Sequence, residues 1–252
     1  DGGIVFCSTR RQGYSRCFGP EYSYRWHTYT LHRMQADGNS IRTLSYNDVS
    51  EWFPAVSNSG RILHARWDYI DRDAVTHQNL WVTRPDGTAT ATVWGNATSS
   101  PHCSFQAKPI PGTDKTVVSF SPGHGRSEHL GYISIIDPSR GPDASDMLRH
   151  ISKRSLRDPY PLAENLFMVA DDRGIYLMDD RGTIETVFTP DLRDCGLPVH
   201  EPRPLRSRPR EPVQAAVHRL FEPRPGLLDL VVEGGDGFPA GELEIPVLAP
   251  VL

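Results

Sequence analysis

A chain of 252 residues supplies enough material for one large domain or two small ones. Apolar residues make up only 38%, and 21 Gly with 22 Pro make the chain rich in turns, which argues against a helix-dominated domain and suits short strands. A net charge of −4 gives no electrostatic reason to expect a nucleic acid, and no apolar run approaches the roughly 18 residues that span a membrane.

The opening "DGGIVFCSTR" has neither the charged nor the apolar region of an export signal. It reads as the middle of a β-unit whose opening strand is missing. The terminal "ELEIPVLAPVL" stops in an apolar run. Both ends are expected to be cuts in a longer protein.

In chain order, four segments share one shape, a short alternating strand, an Asp/Gly-type turn and a second strand. They are "YTLHRMQADGNSIRTLS" (29–45), "LWVTRPDGTATATVW" (80–94), "GYISIIDPSRGPDASDMLRHIS" (131–152) and "GIYLMDDRGTIETVF" (174–188). Asp-Gly between alternating strands is a strong hairpin signal. The turn glycines Gly38, Gly87, Gly141 and Gly182 lie 49, 54 and 41 residues apart, a spacing set by units larger than a hairpin.

A second piece precedes three of these hairpins: "WFPAVSNSGRILHARW" (52–67), "SFQAKPIPGTDKTVVSFSPG" (104–123) and "YPLAENLFMVAD" (160–171). Each has a Pro-bearing opening, a turn and a hydrophobic strand. Joined to the hairpin that follows, each makes a four-stranded antiparallel unit of roughly 40–50 residues, the size of a propeller blade. "HEPRPLRSRP" (200–209) resembles the first strand of a next unit. The expected fold is therefore all-β: an incomplete β-propeller segment over 1–210, about four blades plus flanking strands. Residues 211–252 would begin a following β-rich region. A β-sandwich also places turns at short intervals, but its strands do not recur as four-strand units. "VQAAVHRLF" (213–221) fits a helix or a strand equally well.

Candidate sites are few. Cys7 and Cys17 flank an arginine run, and three readings stand open: a Cys7–Cys17 disulfide, two structural thiols, or Cys7 as a metal ligand. A short bridge stabilises by about 2–3 kcal/mol when unstrained, whereas zinc needs about four ligands, usually with a close pair that is lacking locally. His124 sits between two glycines in "SPGHGRSEHLG", on a turn where backbone can approach a ligand closely, although an exposed loop histidine is the commoner outcome. "RWDYIDRD" carries Asp68, Asp71 and Asp73. Carboxylates so placed suit a hard cation such as calcium, yet the spacing departs from an EF-hand loop, and Arg66 and Arg72 balance the acids on an exposed loop.

Trp52 and Trp67 suit packing between blades. "RPLRSRPR" reads as an extended linker held open by Pro204 and Pro209. The chain has no Gly-x-Ser-x-Gly elbow, no His-Glu-x-x-His helix and no phosphate-binding loop. Nothing in it looks catalytic by itself.

Taken in order, "IVFCSTR", "LHRMQADGNSIRTLS", "EWFPAVSNSGRILHARWDYIDRD", "LWVTRPDG", "WGN", "PIPGTDKTVVSFSPGHG", "GYISIIDP" and "YPL" resemble the propeller part of the hydrazine synthase alpha subunit-like family. That family is broadly related to TolB-type propellers. The resemblance covers roughly residues 2–210, with "RILHARWDYIDRD" and "FSPGHG" its most specific elements.

What the resemblance implies is a scaffold in an exported protein, periplasmic or extracellular. It would contact protein subunits or neighbouring domains, with c-type haem attached through Cys-x-x-Cys-His outside this segment. None of Cys7, Cys17, Cys103 and Cys195 belongs to such a motif. Export permits a disulfide, and the family counterpart of Cys7 would lie near a haem-bearing centre. Two other classes stay open: a TolB-like module binding a protein or glycan with no redox role, and the non-catalytic propeller of a hydrolase.

Overall fold

The computed structural model describes residues 2–15, 27–68, 77–98, 103–123, 129–191 and 199–214. These residues are all-β and antiparallel, with two single-turn 3-10 helices at 138–140 and 145–147.

The strands follow one another in sheets without crossovers. The first unit is β1 (Ile4–Ser8), β2 (Thr30–Met34) and β3 (Arg42–Thr43). The second is β4 (Glu51–Val56), β5 (Ile62–Trp67), β6 (Gln78–Thr83) and β7 (Ala91–Trp94). A seven-stranded sheet follows: β8 (Cys103–Pro109), β9 (Thr116–Ser121), β10 (Gly131–Ile136), β11 (Leu148–Ala163), β12 (Leu166–Asp171), β13 (Gly174–Asp179) and β14 (Ile184–Phe188).

That large sheet is two units sharing one strand. The first half of β11 pairs with β10 as far as Leu156, and its second half pairs with β12 from Arg157 onward. The 131–152 and 160–171 segments thus meet in one 16-residue strand. Pro159 and Pro161 read as strand breakers, but they fall in the half that forms the inner edge of the fourth unit.

Turn chemistry behaves as the spacing predicts. Gly38 and Gly87 adopt φ of +84° and +87°, and each donates its N–H back across its turn, to Gln35 and Arg84. A side chain at Gly87 would also collide with the Leu44 carbonyl, 2.2 Å from where its Cβ would lie.

The core sits between successive units rather than in one central layer. Val118 and Phe120 of β9 pack with Leu63, Leu80 and Trp94 of the second unit. Val117, beside them, packs with Phe167, Val169 and Met178 of the fourth. With both faces covered, β9 is buried at all six positions. β13 alternates buried and half-buried, as a strand covered on one face does. Trp52 and Trp67 stack on each other across β4 and β5, centroids 6.3 Å apart, so their packing lies within one sheet.

The 200–209 segment forms no strand. Pro202, Pro204 and Pro209 lack the N–H a ladder requires. It nevertheless runs beside the fourth unit, where Arg206 donates to the Leu162 carbonyl at 2.7 Å. The segment is largely exposed but docked.

Candidate functional site

The strands that open the second, third and fourth units carry the same irregularity. The ladders slip between Trp52 and Ala55, between Phe105 and Lys108, and between Arg157 and Tyr160. At each slip a non-glycine residue takes positive φ: Phe53 at 55°, Gln106 at 58° and Asp158 at 54°. Glu201, in the docked segment, repeats it at 46°. A β-bulge of this kind leaves the local backbone out of the ladder and re-aims its side chains.

The displaced N–H groups are taken up from one unit to the next. The Phe53 N–H lies close enough to the Cys7 sulfur to favour its thiolate. Asp158 donates to the Gln106 side-chain oxygen at 2.9 Å, and Glu201 donates to Asp158 Oδ2 at 2.9 Å. Gln106 and Asp158 therefore each supply a side-chain acceptor to the bulge that follows, a relay from the third unit through the fourth to the docked segment.

The relay borders a cavity of about 420 Å³ lined by Val5, Phe6, Cys7, Tyr29, Trp52, Phe53, Gln106, Lys108, Asp158, Glu201 and Arg203, among others. A second hollow of about 630 Å³ adjoins it, with Val5, Pro54, Lys108 and Arg203 lining both.

Charges bordering this cavity are partly compensated. Arg203 pairs with Glu201 at 2.9 Å and lies over the Tyr160 ring. Arg157, fully buried, pairs with Asp172 at 2.7 Å and donates to the Val199 carbonyl. Asp158 Oδ2 also has His200 Nδ1 at 3.5 Å and Arg157 Nε at 3.9 Å, whereas Asp158 Oδ1 is buried with no hydrogen-bond partner. Burial, followed by the Arg203 charge, brings Lys108 from 10.5 down to about 8.

Cys7 carries a free thiol. Burial first, and the Glu51 charge second, push it up to about 12 against the pull of the Phe53 N–H. It is thus protonated at neutral pH. Its suggested partner Cys17 lies outside the described residues.

Behind Cys7 sits a buried group that sequence reading passed over. Glu51 accepts from Asn47 at 2.6 Å and from the Ser45 hydroxyl, and His64 Nε2 lies 3.4 Å away. Burial raises the Glu51 carboxyl, but His64, Ser45 and the Arg66 charge outweigh it and hold the group below its ordinary value. With both side chains at 1% exposure or less, the pair belongs to the interior.

Of the other expected sites, Asp68 is described and does not line this cavity. Asp68 follows β5, accepts from Asn79 Nδ2 at 2.8 Å and donates its N–H to the His77 carbonyl. Asp71 and His124 lie outside the described residues. Among those described, no group of three His, Cys, Asp or Glu side chains is placed to hold a metal ion, and no helix is long and apolar enough to cross a membrane.

The positive-φ residues had a signal: "WFPAVS", "FQAKPI", "RDPYPL" and "HEPRPL" align, with Phe53, Gln106, Asp158 and Glu201 in one column. Three of the four precede a proline.

No protein-family model matches the sequence, and no curated protein matches it. Solved structures do. Hydrazine synthase of Kuenenia stuttgartiensis superposes with a TM-score of 0.57 at 18% identity, over 75% of this chain and 28% of that one. TolB of Acinetobacter baumannii gives 0.48 at 14%, over 74% and 41%. Oligogalacturonate lyase of Vibrio parahaemolyticus gives 0.43 at 10%, over 75% and 51%. The chain spans about half or less of the length of each. The likeness to the hydrazine synthase structure is one of fold alone, shared by the successive antiparallel units of the described residues.

Proposed function

We propose that this chain is a scaffold and interaction segment of a β-propeller, four blades with the first lacking its innermost strand. It would belong to a longer exported protein, periplasmic or extracellular, similar to the hydrazine synthase alpha subunit. The haem or redox domain would lie elsewhere in that protein, and the propeller would position it and hold partner subunits.

The observation that supports a scaffold is the relay itself. Gln106 and Asp158 each use a side-chain oxygen to hold the backbone of the segment that follows, which is work of construction rather than chemistry.

The test is to purify the intact protein and the 252-residue chain and compare haem by pyridine haemochrome spectra, with metals by mass spectrometry. Covalent haem in the intact protein and none in this chain is the expected result. A haem-free intact protein overturns the redox reading and leaves the TolB-like alternative, a protein- or glycan-binding propeller. Zinc at Cys7, calcium at Asp68 and Asp71, and a cofactor contact at His124 are proposals settled by the same metal and haem analysis.

A further inference from the structure

Four charged side chains border the 420 Å³ cavity: Lys108, Asp158, Glu201 and Arg203. Glu201 and Arg203 satisfy each other. Two groups are left over, on different strands. Among the described residues no hydrogen bond or ion pair holds Lys108 Nζ, although the carboxylate of Asp158 is near enough to act on its charge. Asp158 uses Oδ2 in the relay, while Oδ1 is without a partner in a side chain that is 1% exposed. The relay needs one acceptor at each position, as Gln106 shows with a neutral amide. A second carboxylate oxygen and a lysine are more than construction requires. Buried polar groups are nearly always satisfied, and an exception calls for an explanation.

Apart from Cys7 and Gln106, whose amide oxygen is taken by the Asp158 N–H, the rest of the wall is apolar and aromatic, with Val5, Phe6, Tyr29, Trp52, Phe53 and Pro54. A few convergent polar groups in an apolar hollow of this volume describe a small-molecule site. What remains is one cation, Lys108 Nζ, and one carboxylate oxygen, Asp158 Oδ1, whose sister Oδ2 already has the Glu201 N–H, His200 and Arg157 beside it. An anion alone answers Lys108 and leaves Asp158 Oδ1, and a hydrogen-bond-donating cation alone does the reverse.

We propose that this cavity binds a small zwitterion with an apolar body, an α-amino acid or short peptide. Its carboxylate meets Lys108, its ammonium meets Asp158, and its side chain lies against Trp52 and Phe53. The inference stands on this cavity and is independent of the redox reading.

The experiment is a calorimetric titration of the full chain with L-phenylalanine and with two relatives that each lack one charge, 3-phenylpropionate and phenethylamine. The expected result is saturable binding of L-phenylalanine, with each relative weaker by about tenfold or more. In Lys108→Met the preference over phenethylamine disappears while that over 3-phenylpropionate persists. Asp158→Asn shows the opposite pattern. Asp158 also holds Glu201, so if that variant does not fold, Lys108→Met decides alone. No saturation by L-phenylalanine up to about 10 mM, or an unchanged preference in Lys108→Met, overturns the proposal. Neither outcome bears on the haem content that tests the scaffold reading.

Discussion

The side-chain oxygen of Gln106 accepts the backbone N–H of Asp158 at 2.9 Å, across 52 residues of sequence. Both residues sit at positive φ in the same bulge of successive inner strands, so a side chain from one unit repairs the ladder defect of the next. Gln106→Leu removes the acceptor and leaves a buried N–H unpaired. The expected loss is about 1–3 kcal/mol in urea unfolding. A loss within about 0.5 kcal/mol, the usual scatter of surface changes, would show that another group takes the N–H and that the relay is dispensable.

Lys108 predicts a pH-dependent stability. Its folded value is depressed, from 10.5 to about 8, by burial and then by Arg203. The unfolded chain binds more protons between those pH values, so stability rises with pH across that window and is lost as pH falls through about 8. Below it the buried ammonium is fully charged, at a cost of about 3 kcal/mol at most. Lys108→Met keeps the packed stem and removes the charge. It is expected to be the more stable form at pH 7, with the difference shrinking toward pH 10.5. A constant difference from pH 7 to 10.5 would mean that water reaches the folded ammonium.

Local chemistry explains what was legible before the structure. The turns at Gly38 and Gly87 depend on residues within four positions, and the fully buried β9 announces itself as "TVVSFS". Gln106 and Asp158 were not recognised because a positive φ at a non-glycine residue is imposed by the meeting of units, not by its neighbours in sequence. The continuity of β11 was hidden for a related reason. Pro159 and Pro161 count as breakers inside a sheet, yet they are tolerated on an inner edge where the bulge already interrupts the ladder. The docked 200–209 segment shows the limit of that tolerance: with three prolines it keeps the place and the positive φ of an inner strand but not the pairing.

Cys7 should be an unreactive thiol in the folded protein. Pushed up to about 12, it is ionised in roughly one molecule in 10⁴ at pH 8, and the thiolate is the reactive form. Iodoacetamide at pH 8 without reductant is therefore expected to leave Cys7 unmodified in the native chain and to alkylate it in urea, as read by peptide mass. A Cys7 that resists alkylation in urea until reductant is added would establish the Cys7–Cys17 bridge instead of the free thiol.

Gly60 tests whether the Pro- and Arg-rich segment is held against the propeller. Gly60 takes φ of +80°, and a Cβ there would lie 2.0 Å from the Pro212 carbonyl oxygen. Close by, Gln214 Nε2 donates to the Ser59 carbonyl at 2.8 Å. Gly60→Ala must therefore push residues 211–214 away or strain the β4–β5 turn. Arg206 and Arg210 are the arginines of this stretch not followed by proline, which makes them the accessible tryptic sites. The expected outcome is faster cleavage after both in Gly60→Ala, with unfolding of the strands lowered by no more than about 1–2 kcal/mol. Equal cleavage rates in the two proteins would mean that the segment is already undocked in solution. The proposed binding cavity would then lose Arg203 and Glu201 from its wall, and Asp158 would lose the N–H that now occupies Oδ2.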